Sequence, residues 1–379
     1  MSKVLISCGE PSGDLYAGAL ADEIRSLDPG ARIFGLGGDR LRACGVDLVA
    51  DYRGLTVTGL SEALAVLPRS YAVYKRLVTW AKVERPDVFV AVDFPEINFR
   101  LAGALRRLGI PIVYYICPQV WAWRRSRLRT LKRLVDCALV IFPFEEGLYR
   151  DAGIPVEFVG HPLLELSSPS EPRDAFLRAY DLNPEAPTVA LLPGSRPNEL
   201  RAIFPDLVRA ARHVVERVPK VQFLVARAPH LEDALFAPLA ALGGTVLSPV
   251  IVEGRTDDVL AASDVVITAS GTATVQAAIH QRPMVIVYRL SMLTYQFIKR
   301  FVHVDSAGMV NLIAGEEVVP ELIQDSFAPE AVAAEVVSFL TDRERADRTR
   351  VALGRVRDLL GAPGASRRAA ELVLTAARG

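Results

Sequence analysis

The chain has little of what marks metal-binding, disulfide-linked or membrane-spanning proteins. Its few cysteines are Cys8, Cys44, Cys117 and Cys137. They form no CxxC pair and no Cys/His cluster, so we expect buried thiols in a reducing compartment, no disulfide framework and no metal site. No apolar run approaches the roughly 20 residues that a bilayer crossing needs. The apolar run that follows Met1 is too short for a signal segment, and we expect a cytoplasmic protein.

The chain also lacks a net charge, because its 44 basic residues equal its 44 acidic ones. No overall field therefore steers it towards nucleic acid or membrane, and any such attraction must be local. The first glycine-rich loop, 8–14, lacks the GxGxxG spacing of a dinucleotide fold, so NAD binding is not supported. The composition, 51% hydrophobic and 23% charged, is that of a globular protein, and 379 residues exceed what one core usually serves.

Short apolar runs alternate with longer helical patterns along the chain. They predict strands at 3–7, 32–35, 88–92, 112–116, 138–142 and 156–159, and a second series at 188–192, 222–226, 245–248, 265–268 and 284–288. Apolar strands separated by helices are typical of parallel sheets covered on both faces. The predicted fold class is therefore α/β, with two doubly wound Rossmann-like domains that face a cleft.

A polar, proline-bearing stretch at 167–172 suits a linker between the two series. We expect an N-terminal domain at 1–165, a C-terminal domain at 166–340, and helices at 341–379 that cross back to the first domain or are exchanged in a dimer. Ligands of such sheets bind at the carboxyl ends of the strands, so the residues that follow each strand are the candidates for function.

Two turns of the second series have the features of anion sites. In Pro193–Glu199 a strand is followed by Gly194, Ser195 and Arg196 and then by a helix start. In the other, Ser270, Gly271 and Thr272 separate a strand from a helix. Helix N-terminal N–H groups bind anions, and Arg196 adds a fixed positive charge. Such turns are common in α/β proteins, but two in one domain suggest a sugar nucleotide.

In the first series, the strand at 88–92 delivers Asp93 to its carboxyl edge, and Pro95 then suits entry into a helix. A carboxylate there could take the proton of an attacking hydroxyl. The alternative is an aspartate that caps the next helix. The same choice between ligand and helix cap holds for Ser12 and Asp14, and His161 is a candidate for lining the site.

Three stretches combine apolar and basic residues. Two tryptophans stand in a basic run at 118–133, an apolar pattern at 60–74 is followed by basic residues up to Arg85, and 290–302 has helical apolar spacing. Anionic lipid or phosphate headgroups would fit these stretches, whereas nucleic acid is the minor alternative and is not expected. Amphipathic helices are also ordinary parts of a core.

Taken together, ordered blocks of residues over 1–325 resemble the lipid-A-disaccharide synthases, bacterial inverting glycosyltransferases of the two-Rossmann-domain (GT-B) type. The blocks are GEPSGD at 9–14, VDFPEIN at 92–98, PQVWAWR at 118–124, VGHPL at 159–163, LLPGSR at 191–196, ASGTAT at 269–274 and NLIAGEEVVPELIQ at 311–324. The resemblance implies transfer of diacylglucosamine from its UDP derivative to diacylglucosamine 1-phosphate, with a β-1,6 linkage formed and UDP released.

The resemblance also implies roles for single residues. Asp93 would activate the acceptor hydroxyl, and Arg196 with the 270–272 turn would stabilise the departing diphosphate. The expected substrate- and nucleotide-binding residues are Gly9, Ser12, Gly13, Asp14, Asn98, His161, Gly194, Ser195, Ser270, Gly271, Thr272, Gln276, Asn311, Glu321 and Gln324. No cofactor or metal is implied. The enzyme would sit peripherally on the inner membrane surface, as a monomer or homodimer.

The sequence departs from the family pattern at several positions. Many members have Glu where this chain has Gln276, and Arg near Glu316; Pro11 and Val310 also differ from common forms. Gln276 can still bond a ribose hydroxyl, but it carries no charge for an ion pair. Two other functions remain open: a UDP-sugar 2-epimerase on the same two-domain plan, and a catalytically silent sensor of UDP-sugars.

Overall fold

The computed structural model describes residues 1–55, 60–119, 127–242, 249–289 and 308–379. Within these ranges the chain forms two compact units. The first comprises Met1–Pro162 and Leu360–Gly379, and the second comprises Leu163–Leu359. The residues at 341–359, which we expected to leave the second domain, belong to it, and only the segment from Leu360 onward joins the first unit.

A parallel seven-stranded sheet forms the centre of the first unit, in the order β3-β2-β1-β4-β5-β6-β7. Its strands are β1 (Lys3–Ser7), β2 (Arg32–Gly37), β3 (Asp47–Asp51), β4 (Val88–Val92), β5 (Ile112–Tyr115), β6 (Cys137–Val140) and β7 (Val156–Phe158). All five residues of β4 are buried, as expected for a central strand covered on both faces. Since Ser7 pairs with Ala91, β1 and β4 end next to each other and their following loops share one edge.

The second unit is built around a parallel six-stranded sheet in the order β10-β9-β8-β11-β12-β13. Its strands are β8 (Thr188–Leu192), β9 (Gln222–Arg227), β10 (Val250–Glu253), β11 (Val265–Ala269), β12 (Met284–Tyr288) and β13 (Glu321–Ile323). The central strands β8 and β11 are entirely buried. Leu192 pairs with Thr268, so the turns that follow these two strands also lie side by side.

Helices connect the strands and cover the sheets. In the first unit they are α1 (Pro11–Leu27), α2 (Asp39–Ala43), α3 (Leu60–Glu84), α4 (Pro95–Arg106), α5 (Arg127–Leu134) and α6 (Pro143–Asp151). In the second unit they are α7 (Leu163–Leu166), α8 (Arg173–Ala179), α9 (Pro197–Arg217), α10 (Thr256–Ala262), α11 (Thr272–Ile279), α12 (Met309–Ala314), α13 (Pro329–Thr341) and α14 (Arg343–Leu359). The last helix, α15 (Ala365–Ala377), belongs to the first unit, and 3₁₀ turns lie at Asp233–Leu242 and Gln324–Ser326.

The last helix is held on the first unit by a small-residue face. Ala369, Ala370 and Val373 of α15 are fully buried, as is Leu20 of α1, and the two helices pack together. Small side chains at this spacing let two helix axes approach closely. Arg368 adds a polar anchor, because its Nε donates to the carbonyl of Val159 at 2.9 Å.

The expected fold is observed, with differences at the sheet edges. The apolar runs predicted most of the strands, but they did not predict β3 and β13, which are short edge strands with polar residues at their ends. The strand expected at 245–248 lies outside the described residues, and the structure shows β10 at Val250–Glu253 instead. The amphipathic stretch at 290–302 and both tryptophans of the 118–133 run also lie outside the described residues.

The described helices include none with both the length and the apolar character that crossing a bilayer requires. In the same ranges, no three His, Cys, Asp or Glu side chains are grouped so that they could hold a metal ion. All four cysteines are free thiols.

Candidate functional site

At the carboxyl edge of the first sheet, the loop after β1 and the loop after β4 lie against each other. Phe94 packs so closely over Gly9 that a Cβ there would come 2.1 Å from the aromatic ring. Any side chain at position 9 would therefore displace the Phe94 ring. Glycine is required here by close approach rather than by an unusual backbone angle.

Asp93 stands in a strained turn directly after β4. Asp93 and Phe94 both adopt the left-handed conformation, with φ of 45° and 49°. Such angles cost roughly 1–3 kcal/mol per residue outside glycine and persist only where the surroundings hold them. Phe94 occupies the N-cap position of α4. Asp93 therefore lies one residue before the cap, and its partly exposed side chain is at the edge of the sheet.

Hydrogen bonds hold the peptide of Asp93 from both sides. Its carbonyl accepts from Asn98 Nδ2 at 2.7 Å and from the Tyr114 hydroxyl at 2.8 Å. Its N–H donates to the carbonyl of Ile116 at 3.1 Å. Asn98 is fully buried, and its Oδ1 accepts from Ser7 Oγ at 2.6 Å. The expected substrate residue Asn98 thus ties the ends of β1 and β4 together from inside the protein.

Asp14 is a cap, but for another helix than its own. It is 2% exposed, and its carboxylate accepts from the backbone N–H groups of Gly38, Arg40 and Leu41 at 2.8, 2.9 and 3.2 Å. These groups lie at the N-terminus of α2, where a carboxylate is favoured by the unpaired N–H groups. Of the expected binding residues in this loop, Gly13 is buried too, and Ser12 is partly exposed.

His161 is enclosed in an aromatic environment. It is 2% exposed, and its ring lies 5.3 Å from that of Phe142 and 6.1 Å from that of Tyr16, measured between centroids. Burial lowers the pKa of His161 to about 3, because the charged form would lose its hydration. The imidazole is therefore neutral near pH 7 and cannot offer a positive charge to a phosphate.

The first anion turn of the second unit carries its own carboxylate. Gly194 has φ of 113°, Arg196 is the N-cap of α9, and Glu199 follows in the first turn. Glu199 accepts from Arg196 Nη1 at 3.0 Å and from the Ser195 N–H at 3.3 Å. A carboxylate thus occupies two donors that the sequence predicted for a phosphate. Glutamate at the third helical position, where such side chains fold back on the turn, is the sequence signal for this contact.

The second anion turn is open. Gly271 has φ of 155°, and no atom of the described residues lies within 4 Å of the position that its Cβ would take. Within the same residues, α11 begins at Thr272 without a side-chain cap. Gly271 and Thr272 are exposed. The Thr274 N–H donates to the Gly271 carbonyl at 3.1 Å, and the two N–H groups before it, those of Thr272 and Ala273, are the ones that a helix start offers to an anion. Ser270, the first residue of this turn, is bonded to β12, because its N–H donates to the Val287 carbonyl at 3.1 Å.

Gln276, one helical turn further along α11, is tied to α10. Its Nε2 donates to Asp257 Oδ1 at 3.1 Å, and His280 Nε2 lies 3.2 Å from the same oxygen. The Ser167 hydroxyl also donates to Asp257 Oδ1. Glutamine fits beside this carboxylate as a donor, whereas a glutamate at 276 would repel it. The sequence alone did not indicate Asp257.

The remaining expected residues lie at the far edge of the second sheet. Asn311 is 1% exposed, its Oδ1 accepts from the N–H groups of Val318 and Val319, and its Nδ2 donates to Glu321 Oε1 at 2.7 Å. Asn311 therefore shapes the loop before β13. Glu321 and Gln324 are partly exposed, and Gln324 follows the end of β13 with a left-handed φ of 54°.

Comparison with known proteins identifies what the chain is similar to. The family model "Lipid-A-disaccharide synthetase" matches residues 4–375. The lipid-A-disaccharide synthase of Geobacter metallireducens is 43% identical over 375 residues, which cover 98% of this chain and 96% of the relative. That of Myxococcus xanthus is 41% identical over 372 residues, which cover 98% and 97%.

Solved structures with the same architecture are more distant in sequence. The UDP-GlcNAc 2-epimerase of Neisseria meningitidis, bound to UDP-GlcNAc, superposes with a TM-score of 0.72 at 12% identity, over 98% of this chain and all of the other. The Anabaena protein HepE, in complex with UDP and glucose, superposes with a TM-score of 0.61 at 13% identity, over 99% and 100%. At such identities the likeness shows the fold, which is the two-domain Rossmann-like type expected from the sequence.

Proposed function

The chain belongs to the lipid-A-disaccharide synthase family of glycosyltransferases, and on that premise we propose the reaction that it catalyses. It transfers 2,3-diacylglucosamine from its UDP derivative to 2,3-diacylglucosamine 1-phosphate. The product is the β-1,6-linked disaccharide 1-phosphate, and UDP is the leaving group. The observation that carries the proposal is the pair of adjacent turns, 193–196 and 270–272, at the carboxyl edge of the second sheet.

These turns hold the diphosphate of the donor. The N-terminus of α11 takes one phosphate through the N–H groups of Thr272 and Ala273 and through the Ser270 and Thr272 hydroxyls. Arg196 exchanges its contact with Glu199 for the other phosphate. As the bond between the sugar and the diphosphate breaks, negative charge grows on the oxygen that leaves, and donors placed there stabilise the transition state more than the ground state.

Asp93 is the general base. Its carboxylate accepts the proton of the acceptor's 6-hydroxyl, the freed oxygen forms a bond to the anomeric carbon, and the electron pair of the breaking bond leaves with UDP. Attack opposite the leaving group inverts the configuration at that carbon. The strained turn at Asp93 and Phe94 supports this role, since backbone strain of this kind collects at functional sites.

The acylated substrates place the reaction at a membrane, and we assign the contact to α3. This helix exposes Leu67, Tyr71 and Val83, which are 49, 52 and 75% exposed. Lys75 lies 4.8 Å from the Tyr71 ring, and Arg76 is exposed beside it. Apolar side chains with adjacent cations are typical of helices that lie in the interface of anionic bilayers.

The proposal is tested by following UDP and disaccharide together after mixing defined acyl donor and acceptor. We expect equal amounts of both, and no UDP without acceptor. An epimer of the donor formed without disaccharide would establish the 2-epimerase instead. UDP binding without any turnover would establish a sensor.

The membrane contact is tested separately by co-sedimentation with vesicles of phosphatidylglycerol and phosphatidylcholine. We expect binding that weakens as salt rises and that Lys75→Glu with Arg76→Glu reduces several-fold. Binding that ignores salt and both substitutions would remove α3 from the contact.

A further inference from the structure

The fully buried Tyr114 has a hydroxyl that the fold of the sheet does not need. Tyr114 lies in β5 between Val113 and Tyr115, and it is 0% exposed. A phenylalanine would fill the same space and avoid burying a polar group. The hydroxyl is retained in a position where it donates to the carbonyl of Asp93 at 2.8 Å.

That carbonyl belongs to a backbone segment that would not keep its conformation unaided. Asp93 and Phe94 are consecutive left-handed residues, and neither is a glycine. An unrestrained chain would return to the extended region and turn the Asp93 side chain to a different direction. Two buried donors meet the carbonyl, one from β5 and one from the Asn98 amide of α4, at 2.8 and 2.7 Å.

We propose that Tyr114 is a positioning residue for the Asp93 base: its hydroxyl, together with the Asn98 amide, holds the left-handed turn that aims the carboxylate at the acceptor hydroxyl. The inference rests on the proposed function, because it takes Asp93 as the base. Tyr114 itself does not reach substrate, since it is fully buried. Its effect on turnover is exerted through Asp93 alone.

The test compares Tyr114→Phe with a matched loss elsewhere in the same unit. Tyr149 is also fully buried, and its hydroxyl donates to the carbonyl of Pro118 at 3.2 Å, so Tyr149→Phe removes the same kind of bond. We expect both variants to lower Tm by a similar amount. Tyr114→Phe alone lowers kcat, by about 10-fold, while its KM for the donor and its Kd for UDP stay within twofold, because the base is misdirected but the nucleotide site is untouched.

The deciding measurement is a double-mutant cycle with Asp93→Asn. If Tyr114 acts through the carboxylate, Tyr114→Phe lowers kcat in the wild-type background and not in the Asp93→Asn background. An equal loss in both backgrounds, or a kcat of Tyr114→Phe within twofold of wild type, would overturn the inference. Circular dichroism and urea unfolding followed by tryptophan fluorescence check that the first unit, which holds Tyr114, is folded in each variant.

Failure of the proposed function is read from a different variant. Near-normal kcat in Asp93→Asn alone would show that Asp93 is not the base, and the inference about Tyr114 would fall with it. Loss of activity in Asp93→Asn with no effect of Tyr114→Phe would leave the base in place and overturn only the positioning role.

Discussion

The two sheet edges that carry the candidate residues are built in opposite ways. Around Asp93 the polar side chains of the first unit are buried and bonded within the protein, as Asp14 and Asn98 show. At the edge of the second unit, Gly271 and Thr272 are exposed, and no side chain of the described residues caps α11. A base needs one fixed direction, whereas a leaving group must be bound and then released. The proposed roles would thus require rigidity at the first edge and exchange at the second.

The largest effect is expected for Asp93, the proposed base. Asp93→Asn keeps the size and the backbone of the residue but cannot accept a proton, so kcat should fall by about 10³-fold or more. The Kd for UDP should stay within twofold, because the nucleotide turns lie in the other unit. The rate of UDP release gives kcat, and calorimetric titration gives the Kd for UDP. A kcat within tenfold of wild type would show that Asp93, at the first edge, is not the base.

Arg196→Ala tests the leaving-group edge. If Arg196 meets the developing diphosphate charge, as proposed, its removal should lower kcat by about 10²-fold, in the range seen for single oxyanion donors. The Kd for UDP should rise as well. Since Arg196 is partly exposed at a helix start, the fold should remain intact, which circular dichroism checks. A change in neither kcat nor Kd would show that the 193–196 turn is not the diphosphate site.

Glu199→Gln tests whether the Glu199 carboxylate competes with a phosphate for the 193–196 turn. Glu199 bonds Arg196 and the Ser195 N–H, and on the proposed function its carboxylate gives way to a phosphate of the nucleotide. Replacing it by an amide removes a competing negative charge, so UDP should bind about 3- to 10-fold more tightly and dissociate more slowly. Stopped-flow measurement of UDP dissociation checks this. The control for the loss of one carboxylate is Glu344→Gln, at an exposed position of α14.

Weaker UDP binding by Glu199→Gln would mean that the carboxylate orients Arg196 for the ligand instead of competing with it. The two edges would then be alike in this respect, because hydrogen bonds within the protein would orient Arg196 as well as Asp93.

The sequence predicts those features of each edge that depend on residues close together in the chain, and it misses those that depend on distant ones. Strands and turns were readable because the apolar run before Arg196 and the one before Ser270 are local patterns. The position of Asp93 after β4 was readable for the same reason. The partner of Asp14 was not, because it caps α2 about 24 residues further along the chain, a contact that only the folded sheet creates.

The missed contacts of the second unit have the same origin. Asp257 meets Gln276 across two helices, and the short edge strands β3 and β13 depend on pairing rather than on an apolar run. Glu199 was nearer to prediction, since its spacing from the helix start is local. What sequence could not say is whether its carboxylate faces solvent or folds back over the turn.

The smallest effect concerns His161 and the stability of the rigid edge. Burial lowers its pKa to about 3, while an unfolded histidine titrates near 6.5. Below about pH 6.5 the unfolded chain binds a proton that the native unit does not, so this contribution to stability is complete above that pH and is lost as the pH falls towards 3. The loss has a limiting slope of about 1.4 kcal/mol per pH unit. His161→Gln, which does not titrate, should lack it.

Urea unfolding at pH 7.5, 6 and 5 measures this slope, and tryptophan fluorescence reports the first unit because Trp80, Trp121 and Trp123 all belong to it. The advantage of wild type over His161→Gln should shrink as the pH falls from 6 to 5. Parallel curves over the whole range would show that the ring takes up a proton as readily in the native protein as in the unfolded chain. His161 would then be hydrated in the native protein, and the first edge would not be enclosed at this residue.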